Sequence, residues 1–150
     1  MGLDMYLRRV KSKEVAYWRK ANAIHKWFVD NCAGGEFENC GDCYVSKDDL
    51  IKLKEICEKI MKECPLVDGE VQNGSRLING KWEPIYEHGK VMTHPEIAQE
   101  LLPCRDGFFF GSLSYDQWYY EDLESTVEQI NDILETVDFK EEYIIYTADW

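Results

Sequence analysis

The sequence lacks several features that would assign it to a class at once. No apolar run in its 150 residues approaches the roughly 18 that a membrane-spanning helix needs. Its opening stretch, MGLDMYLRRV, has no basic segment followed by an apolar core, so no signal peptide is expected. Gly2 follows Met1, but position 6 is Tyr6, which breaks the myristoylation pattern. A cytoplasmic location is the expectation. Basic residues are scarce: 17 Lys and Arg against 29 Asp and Glu leave a net charge of -12. Polynucleotide binding needs clustered positive charge, so DNA and RNA are disfavoured as partners. Any phosphate-bearing ligand then requires a local basic pocket.

Chemical motifs are missing as well. There is no GxxxxGK[ST] loop, no GxGxxG fingerprint and no GxSxG elbow, so neither a phosphate loop, a dinucleotide fold nor a hydrolytic triad is indicated. His88 and His94 have no His or carboxylate at metal-ligand spacing. Cys40 and Cys43 form one CxxC beside Cys32, but the second pair that a structural zinc needs is absent. The six cysteines of a cytosolic chain are expected to be thiols, with Cys57 and Cys64 packing as small hydrophobes on a helix stripe. No cofactor is implied. There is no internal repeat, low-complexity tract or linker.

What is present is a foldable pattern. Hydrophobic residues make up 45% and aromatics 13%, enough for one domain with a full core. Residues 2–10 alternate, with Leu3, Met5 and Leu7 opposite Asp4, Tyr6 and Arg8, which predicts a strand. Ser12 caps a helix expected from about Lys13 to Asn31. A short strand at CYV precedes a second helix begun by Ser46, with Asp49 at the capping-box position and Pro65 as its stop. Residues 66–92 read as an inserted β-meander with turns at Asn79-Gly80 and His88-Gly89 and Pro84 on an edge. Thr93 and Glu96 cap a short helix ending before Pro103. DGFFFGS predicts a buried strand, Ser114 and Gln117 a further cap, and Tyr120, Leu123, Val127, Ile130, Leu134 and Val137 the stripe of the last helix. EYIIYTADW reads as a central strand. The expected fold is α+β, a single domain over residues 1–150, with a mainly antiparallel sheet of about four to five strands and three to four packed helices.

The residues 17–28, YWRKANAIHKWF, pose the functional question. On a helix, Trp18, Asn22, His25 and Val29 share a stripe beside Tyr17, Ala21, Ile24 and Phe28, with Arg19 at the border. Polar groups inside so aromatic a face are either satisfied by neighbouring backbone or they line a pocket. A second candidate is FFFGSLSYDQWYY, where free N–H groups at a Gly111-Ser112 turn and the hydroxyls of Ser112 and Ser114 suit an anion. Tyr115, Trp118 and Tyr119 either line a pocket or pack. Asp116 falls in a first helical turn, where an acid is favoured electrostatically. Acid–base chemistry between His25 and Asp4, Glu14 or Asp116 is conceivable, but no motif requires it.

The blocks MGLDMYL, EVAYWRKANAIHKWFV, YVS with its following Leu and Cys spacing, and LLP with GFFFGS and YD resemble a family of small phage and prophage proteins. The resemblance covers most of the chain, with residues 66–92 matching least and Cys32 and Cys43 departing from it. In size and pocket composition the chain is similar to phage proteins that capture nucleotide immune signals of the bacterial host. That likeness implies sequestration of an ADP-ribose-like or cyclic nucleotide without cleavage. Trp18 or Tyr17 would stack on a base, Asn22 and His25 would read base or ribose, and Arg19 or Arg105 would meet phosphate near Gly111-Ser112. The site expected from residues and resemblance together is Tyr17, Trp18, Arg19, Asn22, His25, Arg105, Phe109, Gly111, Ser112, Tyr115 and Asp116. A nucleotide-cleaving enzyme using His25 and a carboxylate is one alternative. An acidic inhibitor of a host protein is another. Aromatics such as Trp82, Trp118 and Trp150 make a homo-oligomer plausible.

Overall fold

The computed structural model describes residues 3, 5–7, 12–107 and 110–150. The clearest local rule operates at Ser46. Its hydroxyl accepts from the Asp49 amide at 3.0 Å while the Asp49 carboxylate accepts from the Ser46 amide at 3.0 Å. This reciprocal box starts helix α2, Lys47–Glu63, and Pro65 follows its end. Leu50, Leu53, Cys57 and Ile60 form its buried face. They pack on α4, Gln117–Thr136, whose buried residues are Tyr119, Leu123, Thr126, Ile130 and Ile133. That stripe is rotated from the expected one: Tyr120, Val127 and Leu134 flank the core and are only partly buried. Two shorter helices complete the set among the described residues, α1 at Asn22–Cys32 and α3 at Pro95–Leu101.

Among the described residues four strands pair antiparallel in two sheets of two, giving an α+β fold. Strand β1, Asp42–Val45, pairs with β4, Ile144–Thr147. Strands β2, Leu66–Ile78, and β3, Lys81–Met92, form one long hairpin. Asn79 and Gly80 at its turn have φ of 51° and 77°, the pair of positive values a type I′ turn demands. Pro84 faces Ser75 just past an irregularity between Gln72 and Ser75, a tolerable place for a residue without an N–H. His88-Gly89 makes no turn. It lies inside β3, with Gly89 directly opposite Gly69. A Cβ at Gly69 would come within 2.7 Å of Val91, and one at Gly89 within 2.6 Å of Val71 and 2.9 Å of the Gln117 amide oxygen. Gly69 thus makes room for Val91 within the hairpin, and Gly89 lets the hairpin lie against Gln117 in the first turn of α4.

Other elements depart from expectation for traceable reasons. The expected helix from Lys13 begins only at Asn22, because Lys20 adopts a left-handed φ of 57° that interrupts helical winding. Ser12 caps nothing. Residues just before Asn22 run along α4 instead: the Tyr17 amide donates to the Gln129 side chain at 2.7 Å and Trp18 Nε1 donates to Thr126 Oγ1 at 2.8 Å. Leu3, Met5, Tyr6 and Leu7 lie outside any strand and are exposed. The rest of the expected first strand, including Asp4, is outside the described residues. Of the expected DGFFFGS strand, Phe108 and Phe109 are also outside them, and the described part is a bend in which the Phe110 amide donates to Gly107 O at 3.1 Å. The cap of α4 is Asp116, not Ser114, and the short α3 starts at His94 with no side-chain cap. The final strand is not central, since Tyr143 and Ile145 are exposed and β4 has one partner strand among the described residues.

Candidate functional site

Asn22 opens α1 with its side chain buried and fully used. Its Nδ2 donates to Phe110 O at 3.1 Å and Ser112 O at 2.8 Å, and its Oδ1 accepts from the Arg105 amide at 3.0 Å. One amide thus ties both ends of the 105–112 segment to the helix start. Gly111 completes the junction with φ of 88°, and a Cβ there would sit 3.2 Å from that of Lys20. Of the two roles open to Asn22, the structural one describes these bonds.

The segment pinned by Asn22 forms one wall of a cleft of about 830 Å³, a size suited to a small molecule. Arg19 and Lys20 border it beside Ser112 and Ser114, the first turns of α4 supply Asp116, Trp118 and Asp122, and Gln72–Gly74 of the hairpin close another side. Arg19, Asn22, Gly111, Ser112 and Asp116, all expected at the site, are brought together here. Trp118 and Tyr119, for which lining and packing were both open, also line it, as do Lys20, Gln72, Asn73 and Asp122, which were not expected in the site. The spacing of Asp116, Tyr119 and Asp122 on one helical face was the available signal.

Asp116 carries the unusual electrostatics. It is only 3% exposed. Its Oδ1 accepts from the Trp118 and Tyr119 amides at 3.1 and 3.2 Å, while Oδ2 is buried without a partner among the described residues. Burial raises its carboxyl above the ordinary value, opposed by the backbone amides of the cap. Burial raises Asp122 further, to about 7, aided by the charges of Glu121 and Asp116. The cleft therefore holds two cations at one border and two poorly solvated carboxyls in its helical wall.

The remaining expected residues lie elsewhere. Tyr17 is 64% exposed. Trp18 packs edge-on against Phe28 and bonds Thr126. Tyr115 accepts from the Cys104 amide at 3.1 Å. Arg105 sets its guanidinium 5.8 Å from the centre of the Phe110 ring. Phe109 is outside the described residues. His25 is buried among Phe37, Phe110, Tyr146 and Trp150, with ring centres 5.2 to 5.8 Å away. Its Nδ1 meets the Tyr146 hydroxyl at 2.6 Å, and Nε2 is buried without a hydrogen-bond partner among the described residues. Burial, then the Arg105 charge, lowers its pKa and favours the neutral ring. Among the described residues His25 shows no hydrogen bond or ion pair to a carboxylate, so the conceivable pairing with Glu14 or Asp116 is not formed, while Asp4 lies outside the described residues.

The cysteines stay thiols. Cys57 and Cys64 are buried, and burial pushes Cys57 up to about 12. Among the described residues no group of three His, Cys, Asp or Glu is placed to hold a metal ion, and no helix is long and apolar enough to cross a membrane. No protein-family model, curated protein or solved structure matches the chain at significant similarity.

Proposed function

We propose that the chain is a small-molecule-binding protein that holds a nucleotide-derived ligand in the cleft between α1, the 104–114 segment and α4, and sequesters it without cleavage. The observation carrying this reading is the buried, unpaired Oδ2 of Asp116 in the wall of a cleft bordered by Arg19 and Lys20. An unpaired buried carboxylate oxygen is costly unless a donor reaches it. A nucleobase amine or ribose hydroxyl is such a donor, and the two cations suit the phosphate of the same molecule. Trp118, also in the lining, offers a ring for a planar base. The resemblance to phage proteins adds a setting, the removal of a host immune signal in an infected cell.

Calorimetry against ADP-ribose and cyclic-nucleotide ligands tests this. Micromolar binding to at least one ligand is expected, weakened at least tenfold by Arg19→Glu with Lys20→Glu, and by Asp116→Asn, which keeps the capping oxygen but replaces the unpaired one by a donor. No binding tighter than millimolar across the panel would refute it. A second reading, a nucleotide-processing enzyme, is favoured by the elevated Asp122 carboxyl in the same wall, because a group poised near neutrality can exchange a proton. Chromatography of ligand incubated with protein separates the two. Intact ligand recovered after denaturation supports sequestration, and product formation lost in Asp122→Asn supports the enzyme.

A further inference from the structure

The distal half of the hairpin is an unfinished surface. Leu77 lies directly opposite Trp82, so the two side chains share a face. Strand alternation puts Pro84 and Tyr86 on that same face, and Ser75, opposite Pro84, joins them. Leu77, Trp82 and Tyr86 are 59%, 73% and 59% exposed. The charged residues here, Arg76, Lys81, Glu83 and Glu87, alternate onto the opposite face. They are two bases against two acids, so residues 72–87 are neutral and the whole net charge of -12 is carried by the rest of the chain. A two-stranded ribbon with one bare apolar face is marginal in water and is completed by further packing.

We propose that this face is covered by the same face of a second copy of the chain, forming a two-fold dimer through Leu77, Trp82 and Tyr86. Charge selects this occupant. An anionic membrane or a nucleic acid would be repelled by the body of the protein, and a basic partner would find no acid on the part of this face formed by residues 72–87, since Glu70 and Asp68 lie beyond Tyr86 toward the base of the hairpin. Two copies meeting elsewhere would oppose like charges, whereas here they meet on an uncharged patch that is complementary to itself, as an isologous contact requires. The three side chains offer roughly 400 Å² per copy, estimated from typical aromatic and aliphatic areas. That total is below a standard stable interface, so the dimer belongs to the weak, concentration-dependent class. Gln72–Gly74 of the same hairpin border the cleft, so the contact also steadies one wall of it.

Sedimentation velocity on the full chain from about 5 to 500 µM tests the proposal. The weight-average mass is expected to rise from 17.6 kDa toward twice that value, with at least a tenfold loss of association in Trp82→Glu and in Leu77→Lys. Both positions are exposed, and unchanged far-UV circular dichroism checks that the fold is kept. Tyr44→Lys, on the exposed face of the β1–β4 sheet, should associate like the wild type. A chain of 17.6 kDa throughout, or association abolished by Tyr44→Lys and untouched by Trp82→Glu, overturns it. So does a monomer whose Trp82 instead drives binding to zwitterionic lipid vesicles.

Discussion

Replacing Asn22 by alanine gives the most direct test of how the cleft is built. The change removes three hydrogen bonds, to Phe110 O, Ser112 O and the Arg105 amide, from a side chain only 5% exposed. At roughly 1 kcal/mol net for each bond the loss is about 3 kcal/mol. The better helix propensity of alanine returns about 0.5 kcal/mol. For a domain of this size each kcal/mol moves the melting temperature by about 2–4 °C, so a fall of roughly 5–10 °C is expected by calorimetry or circular dichroism. Because the lost bonds hold the 105–112 wall, exchange of the Arg105 amide should accelerate more than that of amides in α2. Asn22→Asp should be worse than alanine at pH 8, because its carboxylate would face two carbonyl oxygens, and should recover on acidification as it regains a donor. A melting temperature within 2 °C of the wild type for Asn22→Ala, with unchanged exchange at Arg105, would refute the view that this amide organises the wall.

Three further outcomes follow from the same structure. His25 is held below its ordinary value of 6.5, so the unfolded chain takes up the proton first as pH falls, and the stability tied to the neutral ring is complete above about pH 6.5 and lost on acidification; the stability of the wild type relative to His25→Phe should therefore decline between pH 7.5 and 5 in denaturant titrations. Asp122 has the opposite sign: a carboxyl raised to about 7 costs stability above that pH and relieves the cost as it protonates, so Asp122→Asn should raise the melting temperature at pH 8 with a gain that shrinks toward pH 4. Gly111→Ala forces a side chain onto a φ of 88° with its Cβ 3.2 Å from Lys20, and about 1–2 kcal/mol should be lost in urea unfolding.

Much of the fold was legible because its signals are local. The Ser46–Asp49 box, Pro65 and the Asn79-Gly80 turn each act within a few residues, and the helix and the hairpin tip formed where expected. The start of α1 was not legible. Tyr17, Trp18 and Ala21 continue its apolar stripe, but Trp18 finds a better partner in Thr126, more than a hundred residues away, and no pattern announces the left-handed Lys20. The same displacement altered the site. Asn22 and His25 were expected to face one ligand together, yet Asn22 is spent on the 105–112 backbone and His25 turns into a cluster of rings formed with Phe37, Tyr146 and Trp150. Those rings come from distant segments, so only the folded chain could bring them to the histidine. Arg19 and Asp116 border the cleft, because one sits beside the helix start and the other at a cap.

The facing glycines of the hairpin have a consequence for how this protein could change. Gly69 and Gly89 have no room for even a methyl group against Val91, Val71 and Gln117. A side chain at Gly89 must displace the Val71 methyl groups beside it and the Gln117 side chain of α4, which loosens the seat of the ribbon that carries Gln72–Gly74. The width of the cleft is therefore adjustable from a position that is not in its lining. Selection for a bulkier or slimmer ligand could act through this hinge-like seam while leaving Arg19, Lys20 and Asp116 untouched, and a library randomised at Gly89, Val71 and Gln117 would explore ligand size separately from ligand chemistry.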